Sequence, residues 1–181
     1  GVIAPGRLMP DPEHSHWYRP LARSEPTGSA VVFDLDGVIA DAWHRQRLIH
    51  VAEPDWAAFF AASDHDPVIV EGRALAAAVD PARDVVILTA RPHAVRDATI
   101  SWLDRNDIRY DLLILRPEGD RRSSATYKRD ELAALGTAGY TVDVALDDDR
   151  RIIAMYRDLG VAAVYVHSGY YDEPASPSKR P

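Results

Sequence analysis

Five short apolar runs punctuate the chain: Ala30-Val31-Val32-Phe33-Asp34-Leu35, Asp84-Val85-Val86-Ile87-Leu88, Leu112-Leu113-Ile114-Leu115, Val142-Asp143-Val144-Ala145-Leu146 and Val161-Ala162-Ala163-Val164-Tyr165-Val166. Near-continuous runs of this length predict strands covered on both faces, as in a parallel sheet. The segments between them carry helical spacing. Pro92 stands where a first helical turn would begin, ahead of Val95, Ala98, Trp102 and Leu103. Leu132 and Leu135 follow Lys128, with Gly136 as the expected stop. Ile152, Ile153, Met155, Tyr156 and Leu159 precede Gly160, a natural helix end. This alternation predicts an α/β fold, a doubly wound, Rossmann-like parallel sheet.

Two stretches break the alternation. Residues 1–28 hold Pro5, Pro10, Pro12, Pro20 and Pro26 and show neither a helical nor a strand period, so they read as a Pro-rich tail or linker, with Trp17 and Tyr18 as its contacts to the domain. The domain itself is expected over 29–172, with a short C-terminal tail over 173–181. Residues 41–67 carry Trp43, Leu48, Ile49, Trp56, Phe59 and Phe60, and predict a small helical insertion after the first strand of the domain. Its aromatics either pack on the core or form a small cap over the ligand end of the sheet.

The 181 residues suffice for one domain with a real core, and 46% hydrophobic with 27% charged residues is the balance of a globular chain. A formal net charge of −7 argues against broad non-specific nucleic-acid binding, though not against a local basic pocket. There is no cysteine, which excludes disulfides, thiolate metal sites and cysteine nucleophiles. No apolar run approaches the roughly 20 residues of a membrane span and no signal-peptide pattern opens the sequence, so a cytoplasmic location is the default expectation.

The candidate chemistry stands at predicted strand ends: Asp34 and Asp36, then Thr89, then Lys128, then Asp147 and Asp148. In open α/β sheets these ends converge on one crevice. Carboxylates gathered so closely must bind protons or recruit cations. Oxygen donors without neighbouring His or Cys suit a hard cation, with Mg²⁺ the first choice. A cation, an ammonium and a hydroxyl around paired carboxylates are the parts that phosphoryl transfer needs. Asp149 reads as a solvated residue at a helix start. His14 and His16 lack a third ligand, and His93, just past Thr89, reads as packing rather than as part of the site.

The phrase Val32-Phe33-Asp34-Leu35-Asp36-Gly37-Val38 resembles the first motif of the haloacid dehalogenase superfamily of phosphatases. Leu88-Thr89-Ala90-Arg91 is similar to the second motif, Lys128 to the third and Asp147-Asp148 to the fourth. The resemblance implies Asp34 as a nucleophile that becomes an aspartyl phosphate, with Asp36 as general acid and base. It implies a metal site of Asp34, Asp148, Asp147 and the main-chain carbonyl of Asp36. Leu88 to Pro92, Arg116 to Lys128 with Gly119, Asp120 and Arg122, and Ala145 to Gly160 are similar, more narrowly, to the phosphatase domain of bacteriophage-type polynucleotide kinase-phosphatase. That likeness implies 3′-phosphorylated nucleic-acid ends as substrate, with Arg91, Arg116 and Arg122 holding phosphates. Thr89 replaces the serine of that domain, and no Gly-x-x-x-x-Gly-Lys-Ser/Thr loop is present for a kinase. A nucleotide or other small phosphate ester is the alternative substrate. A catalytically silent phosphate-binding or receiver-like signalling domain is the alternative of another class. The sequence leaves oligomeric state open.

Overall fold

The structure is a computed structural model that describes residues 8–21 and 25–172. The expected tail over 173–181 lies outside the described residues, as do 1–7 and 22–24.

The apolar runs form the centre of a seven-stranded sheet of order β1-β2-β5-β4-β3-β6-β7. Here β1 is Leu8–Pro10, β2 Trp17–Pro20, β3 Ser29–Phe33, β4 Asp84–Pro92, β5 Leu112–Arg116, β6 Thr141–Asp147 and β7 Ala163–Tyr165. From β5 through β7 every pairing is parallel, whereas β1 and β2 add to the β5 edge in antiparallel register. Alternate residues of one strand serve opposite faces. Val31, Phe33, Val85, Ile87, Leu113 and Leu115 pack with Trp102 and Leu103 on one side. Ala30, Val32, Val86, Leu88, Leu112 and Ile114 pack with Tyr127, Leu135 and Tyr156 on the other. Helices therefore cover both faces, and the sheet is doubly wound.

The helices are α1 Trp56–Ala61, α2 Val70–Ala78, α3 Arg96–Arg105, α4 Ser124–Thr137 and α5 Arg150–Asp158. Ser123 caps α4 and Asp149 caps α5, each side chain accepting a hydrogen bond from a backbone N–H of the first turn. Gly160, at φ 79°, follows the end of α5 in the left-handed conformation that favours glycine. Two expected boundaries shift. Pro92 closes β4 by pairing with Arg116, and α3 starts only at Arg96 after a 3₁₀ turn over His93–Val95. Gly136 lies inside α4, which runs one residue further.

The segment between β3 and α2 is helical: a 3₁₀ turn at Trp43–Leu48, then α1, then a second 3₁₀ turn at Ala62–His65. Helix α2 was not expected from the sequence. It lies against the loop that follows β3, so closely that a Cβ on Gly72 would stand 1.9 Å from the carbonyl oxygen of Val38.

The stretch read as a Pro-rich tail or linker contributes β1 and β2. Trp17 is wholly enclosed, with its indole N–H donating to Glu131 of α4 at 2.8 Å, while His16 meets the same carboxylate at 2.7 Å. Tyr18 is buried on the opposite face, where its hydroxyl meets His93 at 2.5 Å. His14 stacks on Trp17 at 4.1 Å. These contacts account for both early histidines and for His93 as packing residues.

Candidate active site

The carboxyl ends of β3, β4 and β6 and the first turns of α4 and α5 surround a cleft of about 220 Å³. Asp34 follows β3 directly, and its backbone N–H donates to Leu146 of β6 at 2.9 Å, tying the two strand ends together. The chain then turns sharply, with the Ala40 N–H bonded to the Leu35 carbonyl at 2.9 Å and the Gly37 N–H to that of Ala40 at 2.8 Å. Gly37 has φ 86°, and a Cβ there would lie 2.1 Å from Oδ2 of Asp148. Both the backbone and the neighbouring carboxylate demand glycine.

Lys128 reaches up from α4 and bridges two carboxylates, with its Nζ 2.9 Å from Asp34 Oδ1 and 2.6 Å from Asp147 Oδ2. Burial works against the ammonium, but Asp147 and Asp34 outweigh it and raise Lys128 well above its ordinary value. Asp147 also accepts the Asp149 N–H at 2.9 Å. Carboxylate oxygens of Asp34, Asp147 and Asp148 lie within 4.8 Å of one another. Burial pushes Asp34 well up, with Lys128 opposing and Asp147 and Asp148 adding to the rise. Burial likewise pushes Asp148 to about 7, against a hydrogen bond from Ser168 and with the help of Asp147.

Oδ2 of Asp148 is enclosed and has no hydrogen-bond partner among the described residues. An orphaned carboxylate oxygen beside two further carboxylates, served by a single ammonium, is a site short of positive charge. The donor set is all oxygen, so the residues fit a hard divalent cation. The Asp36 side chain stands apart from this triad.

Asp36 is held from behind. Arg45 and Arg91 each donate to its Oδ1, at 2.6 and 2.7 Å, and both also bond Asp66, at 2.7 and 2.8 Å to Oδ2. Arg45 adds a bond to Asp66 Oδ1 at 2.9 Å, and His44 meets that atom at 2.8 Å. The side chains of Arg45, Arg91 and Asp66 are completely enclosed. Burial would raise the Asp36 carboxyl, but Arg91 and then Arg45 hold it below its ordinary value. Nothing in the spacing of the sequence marked Arg45 or Asp66, because both lie in the irregular insertion and only the folded chain brings them to Asp36.

The other sequence candidates are more dispersed. Thr89 is enclosed and accepts the Arg91 N–H at 3.1 Å, while Ala90 between them lines the cleft. Arg91 sits behind Asp36 rather than in the cleft. Arg116 and Arg122 flank the loop before α4, outside the cleft lining. Arg122 pairs with Asp120 at 2.6 Å and Asp130 at 2.5 Å, and Arg116 lies 3.8 Å from Asp120. Asp149, expected as a solvated residue, is buried beside Arg151 at 2.7 Å and lines the cleft. Trp56, Phe59 and Phe60 of the insertion line it as well, as do Tyr170 and Tyr171. Tyr170 bonds Asp41 at 3.0 Å and accepts the Ala42 N–H at 2.6 Å.

Among solved structures, the chain is similar to a component of the Pnkp1/Rnl/Hen1 complex, with 26% identity and a TM-score of 0.63 over 77% of this chain and 46% of that one. A second structure, titled the Pnkp1/Rnl/Hen1 RNA repair complex, gives the same identity and TM-score and is covered over 42% of its length. The chain thus spans less than half the length of these relatives. A class C acid phosphatase from Bacillus anthracis with tungstate bound shares the fold at 15% identity and a TM-score of 0.50, over 88% of this chain and 78% of that one. No curated protein matches. The family model described as the polynucleotide kinase PNKP phosphatase domain matches residues 28–171, from the glycine before β3 to the tyrosines of the cleft. With the family model matching most of its length, the chain belongs to the haloacid dehalogenase-type phosphatases of the polynucleotide kinase PNKP phosphatase domain family.

Proposed function

We propose that this domain is a Mg²⁺-dependent phosphomonoesterase that works through an aspartyl phosphate on Asp34 and removes 3′-phosphates from nucleic-acid ends. The observation that carries the reading is the pairing of Asp34 with Lys128 at 2.9 Å inside a buried carboxylate triad that faces an open cleft. The family match and the repair-complex relatives support nucleic acid as the substrate.

Asp34, Asp147 and Asp148 would hold the cation, together with the main-chain carbonyl of Asp36. Bound there, Mg²⁺ would neutralise charge on the phosphate and keep Asp34 ionised. The residues themselves supply the rest. A carboxylate oxygen of Asp34 attacks phosphorus as the ester P–O bond breaks, and Asp36 delivers a proton to the departing alkoxide. Water then attacks the same phosphorus and gives its proton to Asp36, and the Asp34–phosphorus bond breaks to release inorganic phosphate. Lys128 balances charge on the transferring group and keeps Asp34 oriented. Asp36 rests as a carboxylate between Arg45 and Arg91. Protonation of Asp36 is helped by its burial, which favours the neutral form, and opposed by the two guanidiniums. In this reading Thr89 fixes the Arg91 backbone, while Arg116 and Arg122 meet phosphates of the nucleic acid beyond the cleft.

The test is phosphate release with Mg²⁺ from a 3′-phosphorylated oligonucleotide, a 3′-mononucleotide and a simple aryl phosphate, with Asp34→Asn as the control. The oligonucleotide should be turned over fastest, and the variant should fall to background. Equal turnover of all three removes the nucleic-acid assignment in favour of a small-ester phosphatase. Undiminished turnover by Asp34→Asn removes Asp34 as nucleophile.

A further inference from the structure

The cleft has an aromatic wall that the phosphate chemistry does not use. Asp55 starts α1 by accepting the Ala58 N–H at 2.9 Å, and this fixes Trp56 as the first residue of the helix. Trp56 meets Phe59 edge-on at 5.7 Å and lies nearly parallel to Phe60 at 6.1 Å. Phe59 is buried, with the Arg45 guanidinium 4.2 Å from its ring centre. The same arginine holds Asp36. The wall is thus tied to Asp36 through Phe59 and the shared Arg45 side chain.

Despite this support, Trp56 remains 53% exposed while lining the same cleft as Asp34, Asp36 and Lys128. About half of this large aromatic side chain is thus left open beside a site for a phosphate. Ile49, from the turn before α1, lines the same cleft. A phosphate ester with an aliphatic alcohol would leave this surface wet. One with a flat π system next to the phosphate would cover it. A nucleobase fits that description, and stacking on an indole accepts any base, because each has a π face.

We propose that Trp56 is a stacking platform for the base of the nucleotide whose phosphate Asp34 attacks. The inference rests on the phosphatase reading for its phosphate and adds the nucleoside as the recognised part of the substrate.

Two readouts separate the two claims. The first is the ratio of kcat/KM for a 3′-mononucleotide to that for glycerol phosphate, measured for the unaltered protein, Trp56→Ala and Trp56→Phe. Stacking predicts that Trp56→Ala lowers the ratio about 5- to 150-fold and that Trp56→Phe recovers part of it. A ratio indifferent to Trp56→Ala overturns the platform and leaves the phosphatase standing. The second is quenching of tryptophan fluorescence by the 3′-mononucleotide in the Asp34→Asn background, which needs no turnover. Saturable quenching that disappears on adding Trp56→Phe supports the platform even if neither ester is hydrolysed, in which case the phosphatase reading alone falls. Quenching that persists unchanged with Trp56→Phe overturns the platform.

Discussion

Asp36 lies between two demands. In its proposed role as general acid it must hold a proton, yet two guanidiniums at 2.6 and 2.7 Å favour its anion. Folding depresses its carboxyl below the ordinary 3.8, so the native state binds fewer protons than the unfolded chain in that range. Its contribution to stability is therefore complete above pH 3.8 and fades as pH falls through the lower folded value. The stability difference between the unaltered protein and Asp36→Asn, followed by urea unfolding, should be largest near neutrality and narrow below about pH 4. At neutral pH the same variant should lose roughly 10²- to 10⁴-fold in kcat. Asp34, Asp36 and Lys128 were legible in the sequence because each stands at a strand end or on the first turns of a helix beside one, in a fixed motif. Arg45 and Asp66 were not. They are partners by folding alone, 21 residues apart in a segment without period.

At the scale of elements, Asp66 joins the insertion to β4. It takes Arg45 from the 3₁₀ turn over Trp43–Leu48 and Arg91 from near the end of β4, and all three side chains are excluded from water. Removing one partner of a buried ion network leaves uncompensated charge, at a cost of roughly 3–5 kcal/mol. Asp66→Asn should lower the midpoint of thermal unfolding by roughly 10 °C in calorimetry, given about 2–4 °C per kcal/mol for a domain of this size. A shift within a degree or two would mean that the arginines find equivalent partners. The parallel strands were readable because both faces of β3, β4 and β5 are covered, which makes each run almost uniformly apolar. Strands β1 and β2, of 3 and 4 residues, are too short to show a period of two. Helix α2 was hidden by its composition, VEGRALAAA, whose glycine and alanines pack closely without a visible apolar stripe.

Over the whole molecule, the architecture delivers chemistry through the ends of separate strands. β3 brings Asp34 and Asp36, β4 brings Thr89 and Arg91, β6 brings Asp147 and Asp148, and α4 brings Lys128. No helix among the described residues is long and apolar enough to cross a membrane. The reading of residues 1–28 as tail or linker missed how far β2 belongs to the sheet: its Trp17 is anchored by Glu131 in the helix that carries Lys128. The central claim remains a covalent one, that Asp34 accepts the phosphoryl group. It is tested most directly by mixing the protein with Mg²⁺ and excess 3′-phosphorylated oligonucleotide, quenching in acid within a turnover, and mapping phosphorylation by mass spectrometry. A phosphoryl group is predicted on the peptide containing Asp34, absent from Asp34→Asn. Phosphate released at full rate with no phosphorylated peptide, or with the label on another residue, would contradict it.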